Sequence, residues 1–174
     1  MWATRCRSMI RWHRISRCYI FRIFVRIQKL TIIWGVSTKD AASYTSMGEV
    51  IPTGTAAEPD AAIGTGSTIY NESEKMYYTF YTGHTASQEV VMVATSSDFK
   101  QWTKDRSFYL QGADYGYSVR DFRDPFVFKG DDGQFHMLVS TMQGTKGVLV
   151  EFVSPNLNHG SIRCVHDHDV GSFL

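Results

Sequence analysis

An arginine and two aspartates crowd the start of "DFRDPFVF" (Asp121–Phe128), at the mouth of an otherwise apolar run. Two readings of these charges compete. In one, Arg123 and Asp124 form a local ion pair in a solvated turn, worth little when exposed. In the other, Asp124 is a carboxylate held at the rim of a sugar pocket. Proline cannot donate to a sheet ladder, so Pro125 belongs at a strand's first residue or edge. Extended geometry then sets Asp124 and Phe126 on one face and Arg123 on the other. A second polar cluster, "GTGS", carries Thr65 and Ser67, which by themselves read as ordinary turn residues. His84, His136 and Asp121 have no metal-ligand spacing, and no Ser/His/Asp or Cys/His nucleophile pattern stands out. No cofactor is expected.

The elements that must position these residues are short strands separated by turns. "TGSTIY" is followed by the turn "NESEK", the strand "MYYTFYTG", then "EVVMVATS" and "SDFKQW". Sliding the sequence by 58 residues superposes "QFHMLVS" on "MYYTFYT" and "VLVEFVS" on "VVMVATS", while "RDPFVF" falls on "TGSTIY" shifted by one. Asp40, Asp98 and Asn156 become equivalent, and Tyr44 matches Trp102. Such an Asp or Asn folds back onto the backbone two residues later and fixes a tight turn. The aromatic four residues on then covers the joint between neighbouring sheets, so Trp102 reads as a packing residue before it reads as a sugar platform. A repeat of antiparallel strands that cannot bury both faces alone implies stacked copies. Radial stacking gives a β-propeller. A β-sandwich is the alternative, and the ungapped period favours the propeller.

Composition is uneven. The chain has 174 residues, 14% aromatic content and a net charge of +1, which suits a globular protein. Its apolar runs are too short to cross a bilayer, so no membrane partner is expected. Residues 1–30 hold seven of the eleven arginines and no acidic residue, and three of the six histidines fall in the last sixteen residues. A basic start of this kind reads as a transit peptide or as a nucleic-acid arm; the middle of the chain carries no such signature, and the overall expectation is no nucleic-acid partner. Cys6, Cys18 and Cys164 all lie outside the central stretch. The expected division is therefore an atypical basic segment at 1–33, the repeat region at 34–159 and an atypical tail at 160–174.

Taken together, "DAAIGTGSTIY", "YYTFYTGH", "ATSSDFKQWTK" and "DFRDPFVF" resemble glycoside hydrolase family 32, the invertase, levanase and fructanase group. The resemblance implies an all-β chain forming about two to three blades of a five-bladed β-propeller, and retaining hydrolysis of β-fructosides such as sucrose or fructans. A retaining glycosidase uses one carboxylate as nucleophile and another as acid and base, about 5–5.5 Å apart. Family members add the aspartate of Arg-Asp-Pro, which hydrogen-bonds fructosyl hydroxyls as charge develops. Asp124 matches that transition-state stabiliser. Arg123, Thr65 and Ser67 match substrate-binding positions, with Thr65 replacing the family's serine. Gly64 stands where many relatives carry an aromatic.

The family's nucleophile aspartate lies in the first blade, and its acid/base is a glutamate preceding a cysteine after Arg-Asp-Pro. Residues 1–33 hold no acidic residue and "DHDVGSFL" no glutamate, so the chain as written is expected to be inactive. The repeat predicts an aromatic at position 160, where Gly160 stands, and the composition changes at the same place. Both ends are therefore expected to be read out of frame. Two alternatives stand beside this reading: a non-catalytic fructan-binding propeller, and a related propeller glycosidase or fructosyltransferase. Compartment and oligomeric state have no signal in the sequence.

Overall fold

A computed structural model describes residues 19–27, 30–38, 40, 42–158 and 161–169. Among the described residues there is no α-helix; there is a short 3-10 turn at Gly112–Tyr115, and eleven strands are arranged in three antiparallel sheets. Sheet one contains β1 (Tyr19–Ile27), β2 (Leu30–Thr38) and β3 (Thr45–Ile51). Sheet two contains β4 (Ala62–Asn71), β5 (Met76–His84), β6 (Glu89–Ser96) and β7 (Thr103–Gln111). Sheet three contains β8 (Phe122–Lys129), β9 (Phe135–Gln143), β10 (Lys146–Ser154) and β11 (Arg163–Asp169). Each sheet is a meander in which neighbours in sequence are neighbours in space, with no strand crossing from one sheet to another. A sandwich built from Greek-key connections would show such crossings. The three sheets are successive blades of a partial β-propeller.

The 58-residue period is written into the strand pairing. Tyr19 pairs with Thr38, Tyr77 with Ser96, and Phe135 with Ser154, each pair 58 residues beyond the last. The same step carries Val90↔Gln111 onto Val148↔Asp169. The first strands of sheets two and three are offset by one further residue, since Ser67↔Phe80 becomes Phe126↔Leu138. By this register sheet one corresponds to the last three strands of sheet two. The period runs through both of the compositional boundaries, at 33/34 and at 159/160.

The repeated Asp and Asn turns form as their spacing predicts. Asp40 Oδ1 accepts the Ala42 and Ser43 amides at 2.9 and 2.7 Å. Asp98 Oδ1 accepts those of Lys100 and Gln101 at 2.8 and 2.9 Å, and Asn156 Oδ1 accepts that of Asn158 at 3.2 Å. These amides hold the Asp40 carboxyl down at about 2, and lower that of Asp98 in the same way. Phe99 and Leu157, again 58 apart, both take left-handed φ values, of 63° and 61°.

Sheet two is buried on both faces, so its central strands read as continuous apolar runs. Thr79–Gly83 and Val90–Ala94 are all buried. Alternate side chains serve different cores, because successive residues of a strand point to opposite faces. Tyr81, Val90, Met92 and Ala94 pack with Ile33 and Ile51 of sheet one. Phe80, Val91 and Val93 pack with Phe122, Val127, Val139, Val150 and Phe152 of sheet three. Trp102 packs against the first of these cores, covering the joint of sheets one and two. Its repeat equivalent, Tyr44, is 52% exposed. A buried ion pair secures the loop before β4: Asp60 Oδ2 bonds Lys104 Nζ and accepts the Tyr81 hydroxyl at 3.1 Å.

Candidate functional site

The Arg123-Asp124-Pro125 run lies within β8, not ahead of it, which corrects the expectation that Pro125 begins the strand. The ladder to β9 jumps from Arg123↔Ser140 to Phe126↔Leu138, leaving Asp124 and Pro125 in a bulge. A proline's missing N–H costs nothing there, because the bulged residues are already outside the ladder. Asp124 adopts φ 59°, a left-handed conformation that aspartate tolerates better than most residues. Asp124 and Phe126 are exposed, while Pro125 and Val127 are buried.

β4 carries the matching irregularity. Its ladder to β5 jumps from Ile63↔Gly83 to Gly66↔Tyr81, which leaves Gly64 and Thr65 unpaired. By the one-residue offset of these two strands, Thr65 is the repeat equivalent of Asp124. Only glycine fits at position 66, since a Cβ there would stand 1.9 Å from the Phe80 carbonyl oxygen.

A single buried hydroxyl joins the two bulges. Asp124 N–H donates to Thr82 Oγ1 at 2.9 Å, and that hydroxyl donates to the Thr65 carbonyl at 3.1 Å. Ser67 is 7% exposed, and its Oγ accepts the Val127 N–H at 2.8 Å. Its hydroxyl thus lies in the joint between β4 and β8, beneath the surface that carries Asp124. The structure brings Thr65 and Asp124 together through Thr82, and sets Ser67 below them.

Arg123 is not the ion-pair partner of Asp124. Its Nε donates to Glu89 Oε2 at 2.6 Å, and its Nη2 to Asp121 Oδ1 at 2.5 Å and to the Arg120 carbonyl at 3.3 Å. Glu89 Oε2 also accepts the Phe122 N–H at 3.2 Å. Among the described residues, none hydrogen-bonds the Asp124 carboxylate. Burial pushes the Asp124 carboxyl above the usual range, the Arg123 charge pulls it back and the Glu89 charge raises it again. The Arg123 guanidinium loses by burial but is held more basic by Glu89, then by Asp121 and Asp124. The outcome is a carboxylate aimed at solvent from a fixed backbone, with its acceptor oxygens open to hydroxyl donors.

The family model described as glycosyl hydrolases family 32 N-terminal domain matches residues 22–169. The chain belongs to that family. Solved structures of similar fold include the sucrose-6-phosphate hydrolase of Lactobacillus gasseri, at 17% identity and a TM-score of 0.68, covering 89% of this chain and 32% of that one. A variant of fructan 1-exohydrolase IIa from Cichorium intybus, in complex with 1-kestose, matches at 15% identity and a TM-score of 0.69, covering 87% and 30%. A variant of the Bombyx mori beta-fructofuranosidase, in complex with sucrose, matches at 18% identity and a TM-score of 0.64, covering 88% and 32%. The chain thus spans about a third of the length of these proteins. No curated protein sequence matches it.

Within this family 32 domain, two residues of the site escaped the sequence reading. Thr82 gave one usable signal, a hydroxyl in the middle of the fully buried stretch Thr79–Gly83. Glu89 gave less, since a charge at the first residue of a strand is commonplace. A cavity of roughly 330 Å³ also exists, but it lies between Tyr78, Thr95, Asp105 and Leu157, and Asp124 is not among its walls.

Proposed function

We propose that this chain is part of a β-fructosidase of the retaining type, in which Asp124 accepts hydrogen bonds from the hydroxyls of a fructosyl group. The observation that carries the reading is the Asp124 carboxylate, exposed and without a hydrogen-bond partner among the described residues, on a backbone fixed from the neighbouring blade. Acceptors of this kind strengthen their bonds as positive charge develops on the sugar ring. Thr65, in the adjoining bulge, is the second residue we place at the substrate. Arg123 acts from the side, holding the negative charges of Glu89 and Asp121 near Asp124. Ser67 contributes by fixing β4 against β8.

The substrate class is a β-fructoside. The similar proteins named above include complexes with sucrose and with 1-kestose, which supports that class. We further propose that the 174-residue chain does not hydrolyse it, because no Asp or Glu precedes Asp40 and no glutamate follows Glu151. The change of composition at 1–33 and 160–174 is proposed to arise from a change of reading frame. Codons at the locus that cannot spell the family's catalytic carboxylates in the alternate frames would end that part. The functional reading is tested by incubating the purified chain with sucrose, inulin and levan. No release of fructose is expected, and clear turnover would refute the inactivity.

A further inference from the structure

We propose that Thr82 is a positioning residue for Asp124: its buried hydroxyl fixes the carboxylate-bearing bulge of one blade against the equivalent bulge of the next. The inference rests on the reading of Asp124 as the group that meets substrate, and it concerns what holds that group in place.

Asp124 sits at φ 59° within a strand, a strained conformation that persists only where the surroundings over-determine it. Its own sheet does not supply the restraint, because the ladder to β9 skips Asp124 and Pro125. The restraint comes from sheet two. Thr82 is 2% exposed and lies on β5, 42 residues earlier in the chain. Its Oγ1 accepts the Asp124 N–H at 2.9 Å and spends its own proton on the Thr65 carbonyl at 3.1 Å. The hydroxyl is therefore used in both directions, and its donor–acceptor order is fixed by its two partners. A backbone amide can only donate and a carbonyl can only accept.

The residues just before Asp124 are held from the same sheet. Glu89, on β6, accepts the Phe122 amide at 3.2 Å and the Arg123 Nε at 2.6 Å. Ser67, on β4, accepts the Val127 amide at 2.8 Å on the other side. Three side chains of sheet two thus seize the backbone of β8 at Phe122, Asp124 and Val127. Of these, Thr82 alone grips Asp124 itself. The packing leaves room for little else, since a Cβ added at Gly64 would stand 3.1 Å from the Thr82 Cβ. Valine has the shape of threonine without the hydroxyl, and serine keeps the hydroxyl without the methyl. The two substitutions separate the hydrogen bonds from the packing.

The test is amide hydrogen exchange by NMR on the 174-residue chain and its Thr82→Val and Thr82→Ser variants, followed by titration with sucrose. In the unaltered chain the Asp124 amide is expected to be protected and to show a nuclear Overhauser contact with a slowly exchanging Thr82 hydroxyl. Thr82→Val should speed exchange at Asp124 by at least about tenfold while Val91 and Val139 keep their protection, and Thr82→Ser should restore it. Sucrose should bind about tenfold more weakly to Thr82→Val than to Thr82→Ser. An unprotected Asp124 amide in the unaltered chain, or equal protection in Thr82→Val, overturns the proposal. If the exchange results hold but sucrose binds none of the three proteins, positioning stands and the assignment of Asp124 to substrate falls. Should Thr82→Val lose protection throughout, the contact and protection in the unaltered chain still decide the matter.

Discussion

The Asp124 carboxyl is under opposing influences, and the balance can be measured. Burial raises its carboxyl, and the positive charge of Arg123 offsets part of that rise. Replacing Arg123 by methionine removes the offset and leaves Glu89 without its counterion, so the Asp124 carboxyl is expected to titrate higher than in the unaltered chain. Carbon-detected NMR titration of the side-chain carboxyl checks this; an unchanged or lowered midpoint would mean that Arg123 does not act on Asp124. A second residue-scale prediction concerns His136, whose ring nitrogens meet Glu151 at 2.7 Å and Asp132 at 3.1 Å. Those hydrogen bonds raise its pKa above the ordinary histidine value of about 6.5, Glu151 contributing most. A raised folded value means a contribution fully present below about pH 6.5 and lost as pH rises through the folded value. Melting temperature should therefore fall as pH is raised through that window, and the fall should be smaller in His136→Gln. At this scale Asp124 was singled out in the sequence because its neighbours carry a motif. Thr82 and Glu89 were not, because their relation to Asp124 exists only once two sheets are packed.

At the scale of the element, the turns and the bulges have different legibility for a physical reason. The Asp40, Asp98 and Asn156 turns close within two or three residues, so their chemistry is local and the spacing alone announces them. The bulges of β4 and β8 depend on the partner strand. The one-residue slip of "RDPFVF" on "TGSTIY" is the same on both sides of the bulges. It arises in the turn that follows, which, counted between equivalent residues, is one residue shorter between β8 and β9, so the sequence carried no signal of the bulges themselves. The same lesson holds for Asp60, which lies in a loop yet is fully buried against Lys104 and Tyr81. Removing one partner of such a pair leaves a charge stranded in the interior. Lys104→Met is expected to destabilise the chain by about 3 kcal/mol. Urea unfolding would show this as a lower midpoint with an unchanged slope; an unchanged midpoint would mean that Asp60 is satisfied in another way.

At the scale of the whole molecule, the blade arrangement was legible in the period, and the use of sheet two as a shared wall explains why its strands look unlike amphipathic ones. Continuous apolar runs such as "EVVMVATS" arise because both faces of the sheet are covered. Composition marked residues 1–33 and 160–174 as foreign, yet strand pairing follows the 58-residue step through β1 and β11. Composition reports side chains and pairing reports backbone, so the two observations do not compete. What the blades accomplish together is to present Asp124 from one sheet and Thr65 from the next. Titration of the purified chain with sucrose and 1-kestose by calorimetry, beside its Asp124→Ala variant, tests that claim most directly. The unaltered chain is expected to bind at least one of the two sugars, and Asp124→Ala to weaken that binding at least about tenfold, with the fold intact by circular dichroism. Equal binding by the two proteins, or no binding by the unaltered chain, would contradict it.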